Sequence, residues 1–324
     1  MAERLNATFF TLRKRDRAVL LPATLVMAAL VALIVAAFAA INWGFFGQVF
    51  EMVRQGRSEP LTDNESVIFV SRMFVLFGST ILLLFPFYLV LAAYEAACLR
   101  WLIRGETPGL FGLTLDHDTW RVYGVYWCWV ALQYAIGMVA GIVMMPLMFM
   151  TMGDIISDPT PDPMEMVRWQ LTFQLPLTLL QYVPLAFFGV RFAPAAATSV
   201  ARRRFSPLEA WTVTKGRFWD LFGSFAVLWL ITGAAFIIVL GAFCGVVFGH
   251  LIVTLFADWP NVHAEGVQTL FERLFSPAVI PFIAGSYVAY FAIGIGYMLM
   301  SYGVNARAAL AALEEGKISP APAD

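Results

Sequence analysis

The chain has one place where acids flank a histidine, Asp116-His117-Asp118. Carboxylates beside an imidazole can hold a metal ion or pass a proton, if the side chains converge on one point. Adjacent residues point apart on a helix or a strand, and no further ligand follows at helical spacing. The triplet therefore reads as a solvated loop that starts the helix bearing Trp120. His250 and His263 have no identifiable partners in the sequence. There is no glycine-rich phosphate loop, no nucleophile elbow and no His-Glu-x-x-His helix. Cys98, Cys128 and Cys244 all fall in apolar runs and lack zinc-type spacing, so they read as small core residues. The expectation is a protein that is not an enzyme and needs no cofactor or metal.

The clearest polar pattern in an apolar run is Gln170, Gln174, Thr178 and Gln181. The last three follow i, i+4, i+7, and Gln170 extends that face by one turn. Such a stripe can line a polar cavity or substrate path. It can equally hold helices together, at roughly 0.6 kcal/mol per hydrogen bond inside a membrane. Pro176 and Pro184 bracket it and are placed to kink the helix. Two charges lie deep near helix ends, Glu95 and Arg191. Buried charges in a membrane usually pair or reach the interface, so an ion pair between these two competes with snorkelling of each to water.

Positive charge concentrates at 191–219, which holds Arg191, Arg202, Arg203, Arg204, Lys215 and Arg217. Ser206-Pro207-Leu208-Glu209 has the form of a capping box, with proline at the first helical position. Gly216 suits the left-handed position after a helix end. A short helix over 207–215 follows, with Leu208 and Trp211 on one side. A Trp on a basic elbow between two apolar runs suits a lipid headgroup layer. Arg202, Arg203, Arg204, Trp211, Lys215 and Trp219 thus form a candidate face for lipids, anionic headgroups above all, or for a protein partner. The alternative is an anchor that only fixes the depth of two spans.

The elements that must position these residues are membrane spans. The 324 residues are 60% hydrophobic and only 13% charged, with a mean hydropathy of +0.75. A soluble domain carries roughly 25% charge. Six apolar runs, near 18–46, 67–99, 122–150, 171–201, 218–257 and 278–310, exceed the roughly 20 residues needed to cross a bilayer. The fifth is about twice that length, so it must tilt, break or run beyond the membrane. The first resembles a signal peptide at its start, but its apolar core is too long, and it reads as a retained span. Before it, Leu5, Phe9 and Leu12 recur at helical spacing among basic residues, which predicts an interfacial amphipathic helix over 1–17. The six-helix transmembrane domain covers 18–316, and 317–324 reads as a disordered tail.

Orientation follows from charge. Five basic residues precede the first span, three lie between the second and third, six in the elbow and two at the C-terminal end, against four on the opposite side. The positive-inside rule then puts both termini in the cytoplasm. The second and fourth spans also match at an offset of 99 residues. Ala96 and Ala97 align with Ala195 and Ala196, Arg104 with Arg203, Pro108 with Pro207 and Trp120 with Trp219. Lys317-Ile318-Ser319-Pro320 echoes Arg204-Phe205-Ser206-Pro207. The fold class expected is an all-α membrane bundle of six helices in three two-helix units, with short interfacial elbow helices. Gly241, Gly245 and Gly249, like Gly137 and Gly141, suit close helix packing within the chain or a homo-oligomer contact.

The arginine run followed by FSPLEAWTVTKGRFWDLFG resembles the membrane-domain superfamily that includes the glycerophosphoryl diester phosphodiesterase membrane domain and related bacterial six-span proteins. Ser206, Trp211, Thr214, Lys215, Gly216, Trp219 and Gly223 carry the resemblance. In fused members the chemistry belongs to a separate barrel domain, whose signatures are missing here. The resemblance implies the membrane part only, in a bacterial cytoplasmic membrane. The function expected is non-catalytic binding of lipid or a partner through the basic face, with no nucleic acid involved. The rival is a transporter or channel for a small polar or amphipathic solute.

Overall fold

The computed structural model describes residues 7–13, 16–54, 62–106, 113–157, 167–168, 170–257, 277 and 279–319. Helix α1 spans Phe10–Arg13, and a 3₁₀ turn at Arg17–Leu20 leads into α2, Leu21–Ile41. Next come α3 (Trp43–Arg54), α4 (Asp63–Arg104) and α5 (His117–Ser157). A π turn at Gln170–Gln174 opens α6 (Leu175–Phe192), which is followed by α7 (Ala195–Ala201). A 3₁₀ turn at Pro207–Glu209 and the short α8 (Ala210–Thr214) form the elbow. The last two helices are α9 (Phe218–Ala257) and α10 (Ile280–Glu314). No strand occurs among the described residues.

Six stretches are long and apolar enough to cross a membrane: Ala18–Ile41, Asp63–Arg104, His117–Pro146, Gln181–Ala201, Phe218–Val246 and Ile280–Glu314. The fifth apolar run neither breaks nor shortens. It is one 40-residue helix, about 60 Å long at 1.5 Å per residue. The first run does break. Helix α2 ends at Ile41, and Asn42 bonds Phe38 O at 2.8 Å and Ser79 Oγ of α4 at 2.9 Å. The fourth run breaks at Ala193-Pro194 rather than at the prolines flanking the glutamine stripe. Pro184 sits inside a continuous α6, while Pro194, which has no N–H to donate, caps α7.

Burial is concentrated at one end, the arginine-rich one. Helices α4, α7 and α10 each pack on the other two there. Their meeting faces are alanines: Ala92, Ala96 and Ala97 of α4, Ala195 to Ala197 of α7, and Ala306, Ala308 and Ala309 of α10. Small side chains let the three backbones approach closely. Each of these helices ends at a left-handed residue, with φ of +71° at Gly105, +50° at Arg203 and +67° at Gly316. Helix α2 packs on α4, α5 on α4 and α7, and α9 on α10. Away from that end the apolar side chains face outward. Leu82, Ile142, Ile238 and Val288 are each at least two-thirds exposed.

Three expectations change. Helix α1 does not lie on a membrane by an apolar face alone. Its buried side chain is Thr11, with Thr8 buried just before it, and Thr11 Oγ1 donates to Leu299 O of α10 at 2.8 Å. Leu12 points outward. Gly303 of α10 leaves the room, since a Cβ there would collide with Thr11. Second, the start of the C-terminal tail is packed. Ile318 is 4% exposed, and Arg202 donates to both the carbonyl and the hydroxyl of Ser319. Residues 320–324 lie outside the described ones. Third, Gly241 and Gly245 of α9, and Gly141 of α5, have nothing within 4 Å of a Cβ position. They do not serve packing inside the described chain.

Candidate functional site

A cavity of about 630 Å³ lies between α4, α5, α6, α7 and α10 at the arginine-rich end. Its walls are mostly apolar, with Trp129, Leu132, Phe192 and Ala196 among them. Four polar side chains face it from two sides. Glu95 comes from α4, with Tyr126 of α5 donating its hydroxyl to Glu95 Oε2. Ser301 and Asn305 come one turn apart on α10. Glu95 is 5% exposed and Asn305 7%. Tyr302 adds a second aromatic hydroxyl. Ser301 Oγ and Asn305 Oδ1 are buried and have no hydrogen-bond partner. Buried polar atoms are nearly always paired, so two orphans at one cavity wall mark a place for a water or a ligand group from outside the chain. The rim carries Leu208 of the elbow and Cys128 of α5, both exposed.

Local structure explains the placement. Gly189 of α6 faces Trp129 of α5, and a Cβ there would meet the indole at 3.5 Å. That small residue lets α5 and α6 close one side of the cavity. The break at Ala193-Pro194 opens another, because the wall residues Phe192, Ala193 and Ala195 flank it.

The two deep charges have separate partners. Glu95 is held by Tyr126. The Arg191 guanidinium instead lies over three aromatic rings, with centroids at 4.9 Å for Trp211, 5.2 Å for Phe218 and 5.5 Å for Phe187. Its Nη1 donates to Thr214 O at 3.2 Å. Among the described residues no ion pair joins Glu95 to Arg191. The ring faces and the Thr214 carbonyl engage the cation where it stands, while its Nε is buried without a hydrogen-bond partner.

The basic elbow is largely consumed by the chain's own acids. Arg202 and Arg204 both pair with Glu209, Arg203 with Glu106 at 3.5 Å, and Arg217 with Glu315. Burial, then repulsion from Arg204, lower the pKa of Arg202 from its ordinary value. The expected capping box fails for the same reason. Ser206 makes no cap bond and instead donates to Arg204 O. Charge-assisted bonds to arginine outweigh a neutral cap for Glu209. The box forms elsewhere, at Thr62 and Glu65, and starts α4. Gly216 is left-handed as expected, at φ +81°. Trp211, Lys215 and Trp219 are exposed.

Of the glutamine stripe, Gln170 and Gln174 fall in the π turn, which shifts the i+4 register. The side chain of Gln174 lies outside what is described. Gln181 faces Gly137 of α5. Gln170, Thr178 and Gln181 are not among the described residues that line the cavity.

Asp116 and Asp118 do structural work. Asp116 pairs with Arg100, which is 1% exposed, and Asp118 with Arg104 and Arg121. Burial raises the Asp116 pKa, but the Thr119 amide, Arg100 and Thr114 outweigh it and hold the carboxyl below its usual range. His117 is exposed, and the described residues contain no group of three or more His, Cys, Asp or Glu fit to hold a metal. No family model, curated protein or solved structure matches the chain.

Proposed function

We propose that the chain is a non-catalytic, multi-pass membrane protein that binds an amphipathic molecule in the cavity beside Glu95. The observation that carries this is the pair of unpartnered atoms, Ser301 Oγ and Asn305 Oδ1, on the wall of an otherwise apolar cavity. Sites of a few hundred to about a thousand Å³ with apolar walls and few convergent polar groups are typical for small ligands. The six apolar helices, with leucine and isoleucine turned outward along most of their length, support a bilayer as their solvent. The arginine-rich end faces the cytoplasm by the positive-inside rule. The three alanine-faced helix ends, each closed by a left-handed residue, support three related two-helix units. The elbow motif keeps its resemblance to the membrane domain of the glycerophosphoryl diester phosphodiesterase group. Engagement of Arg202, Arg203, Arg204 and Arg217 by acids disfavours the elbow itself as the lipid-binding surface.

The test uses the full chain in a non-ionic detergent. Dodecyl-chain amphiphiles with cationic, neutral and anionic heads are titrated, and binding is read by native mass spectrometry and by protection of Cys128 from a maleimide. Saturable one-to-one binding of at least one of them, with Cys128 protected, is the expected result. No saturable binding by any head would overturn the proposal.

A further inference from the structure

We infer that the cavity selects a primary ammonium head on a hydrophobic body. This deepens the reading above and rests on it.

Three polar groups at the cavity wall are able to accept a hydrogen bond, while the Asn305 amide nitrogen donates. Asn305 Oδ1 is a carbonyl oxygen and accepts only. The Glu95 carboxyl has one oxygen engaged by Tyr126, which leaves Oε1 turned to other donors. Ser301 Oγ accepts or donates. No Lys, Arg or His is among the described lining residues. Of the deep cations, Arg191 is spent on its aromatic cage and Arg100 on Asp116. An anionic head would therefore meet a carboxyl and two unsatisfied oxygens with no counter-charge. A head with several N–H donors and a positive charge answers all three at once.

The walls add a second, independent match. Tyr126, Trp129, Phe192 and Tyr302 line the same space. Aromatic rings attract a cation through their electron-rich faces, most strongly where water is displaced. A carboxyl with several rings around it is the chemistry of ammonium recognition. The remaining lining, Leu132, Ala193, Ala196 and the rim residue Leu208, suits an alkyl body rather than a sugar. A three-donor ammonium also distinguishes itself from a trimethylated one, which has no N–H for Asn305 Oδ1.

The experiment keeps the dodecyl chain and changes the head. Dodecylammonium is compared with dodecyltrimethylammonium, dodecanol and dodecyl sulfate on the intact protein in non-ionic detergent. Dodecylammonium binds about tenfold tighter than each of the others, the factor expected when one desolvated charge contact of ~1.4 kcal/mol is added. Glu95→Gln removes the charge at constant shape. It brings ammonium affinity down to that of dodecanol while leaving dodecanol binding unchanged. Asn305→Leu, which keeps volume, narrows the gap between the primary and the trimethylated head. Equal binding of dodecyl sulfate, dodecanol or dodecyltrimethylammonium to the wild-type chain would overturn the inference while leaving amphiphile binding intact. The comparison needs no mutant, so a folding defect in either variant does not blunt it. Short-chain phosphatidylethanolamine is then added to the dodecylammonium complex. Displacement places the ammonium on a membrane lipid, and no displacement places it on a free amphiphile. Both outcomes support an ammonium site.

Discussion

Tyr126 of α5 donates its hydroxyl to Oε2 of Glu95 on α4, joining two long helices at the wall of the cavity. That bond fixes a carboxyl that is 5% exposed. Tyr126→Phe leaves the oxygen with one donor fewer at constant ring volume. Loss of a partner to a buried group costs about 1–3 kcal/mol. Thermal unfolding in detergent should show a lower midpoint for the variant. An unchanged midpoint would mean that the carboxyl finds water in the cavity.

Arg191 is held by ring faces and a carbonyl rather than by an acid. Arg191→Lys keeps the charge and loses the planar stacking. It should cost about 1–2 kcal/mol, the range for a partly desolvated cation over several rings. Arg191→Lys with wild-type stability would show the rings to be packing only.

Asp116 sets a pH dependence at the basic end. Its carboxyl lies below its usual range, because the Thr119 amide, Arg100 and Thr114 outweigh the effect of burial. A depressed folded-state value means that the contribution is present above the ordinary aspartate range near pH 4 and is lost as pH falls through the lower folded value. Hydrogen-exchange protection at the end of α4, taken relative to the intrinsic rate at each pH, should therefore fall below about pH 4. Asp116→Asn should exchange faster already at neutral pH and show a flatter acid response. The effect is small, since the carboxylate is more than a third exposed.

Gly303 meets Thr11 at the closest approach of α1 to α10. Gly303→Ala has to push α1 off, because the obstruction includes the Thr11 backbone nitrogen at 3.1 Å. Protease cleavage before residue 17 should become faster, with the rest of the bundle intact. Retention of wild-type resistance would show that α10 shifts instead.

The arginine run gives a fourth contrast with a surface reading. Arg202, Arg203 and Arg204 pair with Glu209 and Glu106. Changing all three to Ala should lower the unfolding midpoint more than it weakens association with anionic lipid. A steep, salt-dependent loss of anionic lipid with unchanged stability would restore the basic face as the working surface. Within that run Arg203 carries a strain of its own, at φ +50°. Arg203→Val should cost about 1–2 kcal/mol and Arg203→Gly should not destabilise, since only glycine adopts that conformation freely.

Much of the fold was legible because apolar length is a local property. All six runs became helices, and Gly216 took the left-handed conformation its spacing suggested. The cavity was not legible, because Glu95, Tyr126 and Asn305 come together only through packing of three separate helices. One signal was present: Ser301 and Asn305 stand i, i+4 near the end of an apolar run, the spacing that drew attention to the glutamines. The capping box was misplaced because Ser206-x-x-Glu209 is a local pattern, and local patterns cannot register that Arg202 and Arg204 compete for the same carboxylate. Pro194, in plain sight, outweighed Pro176 and Pro184 because it falls where the helix end is buried among alanines.

The alanine contact among α4, α7 and α10 gives the molecule the mechanics of rods clamped at one end. A tilt of a few degrees at the clamp becomes a displacement of a few ångströms at the far tips, since the α4 arm from Ala92 back to Asp63 is roughly 44 Å long at 1.5 Å per residue. Leverage runs the other way too. A force on the far arms is delivered as torque to the clamped end, where Glu95 and Asn305 stand.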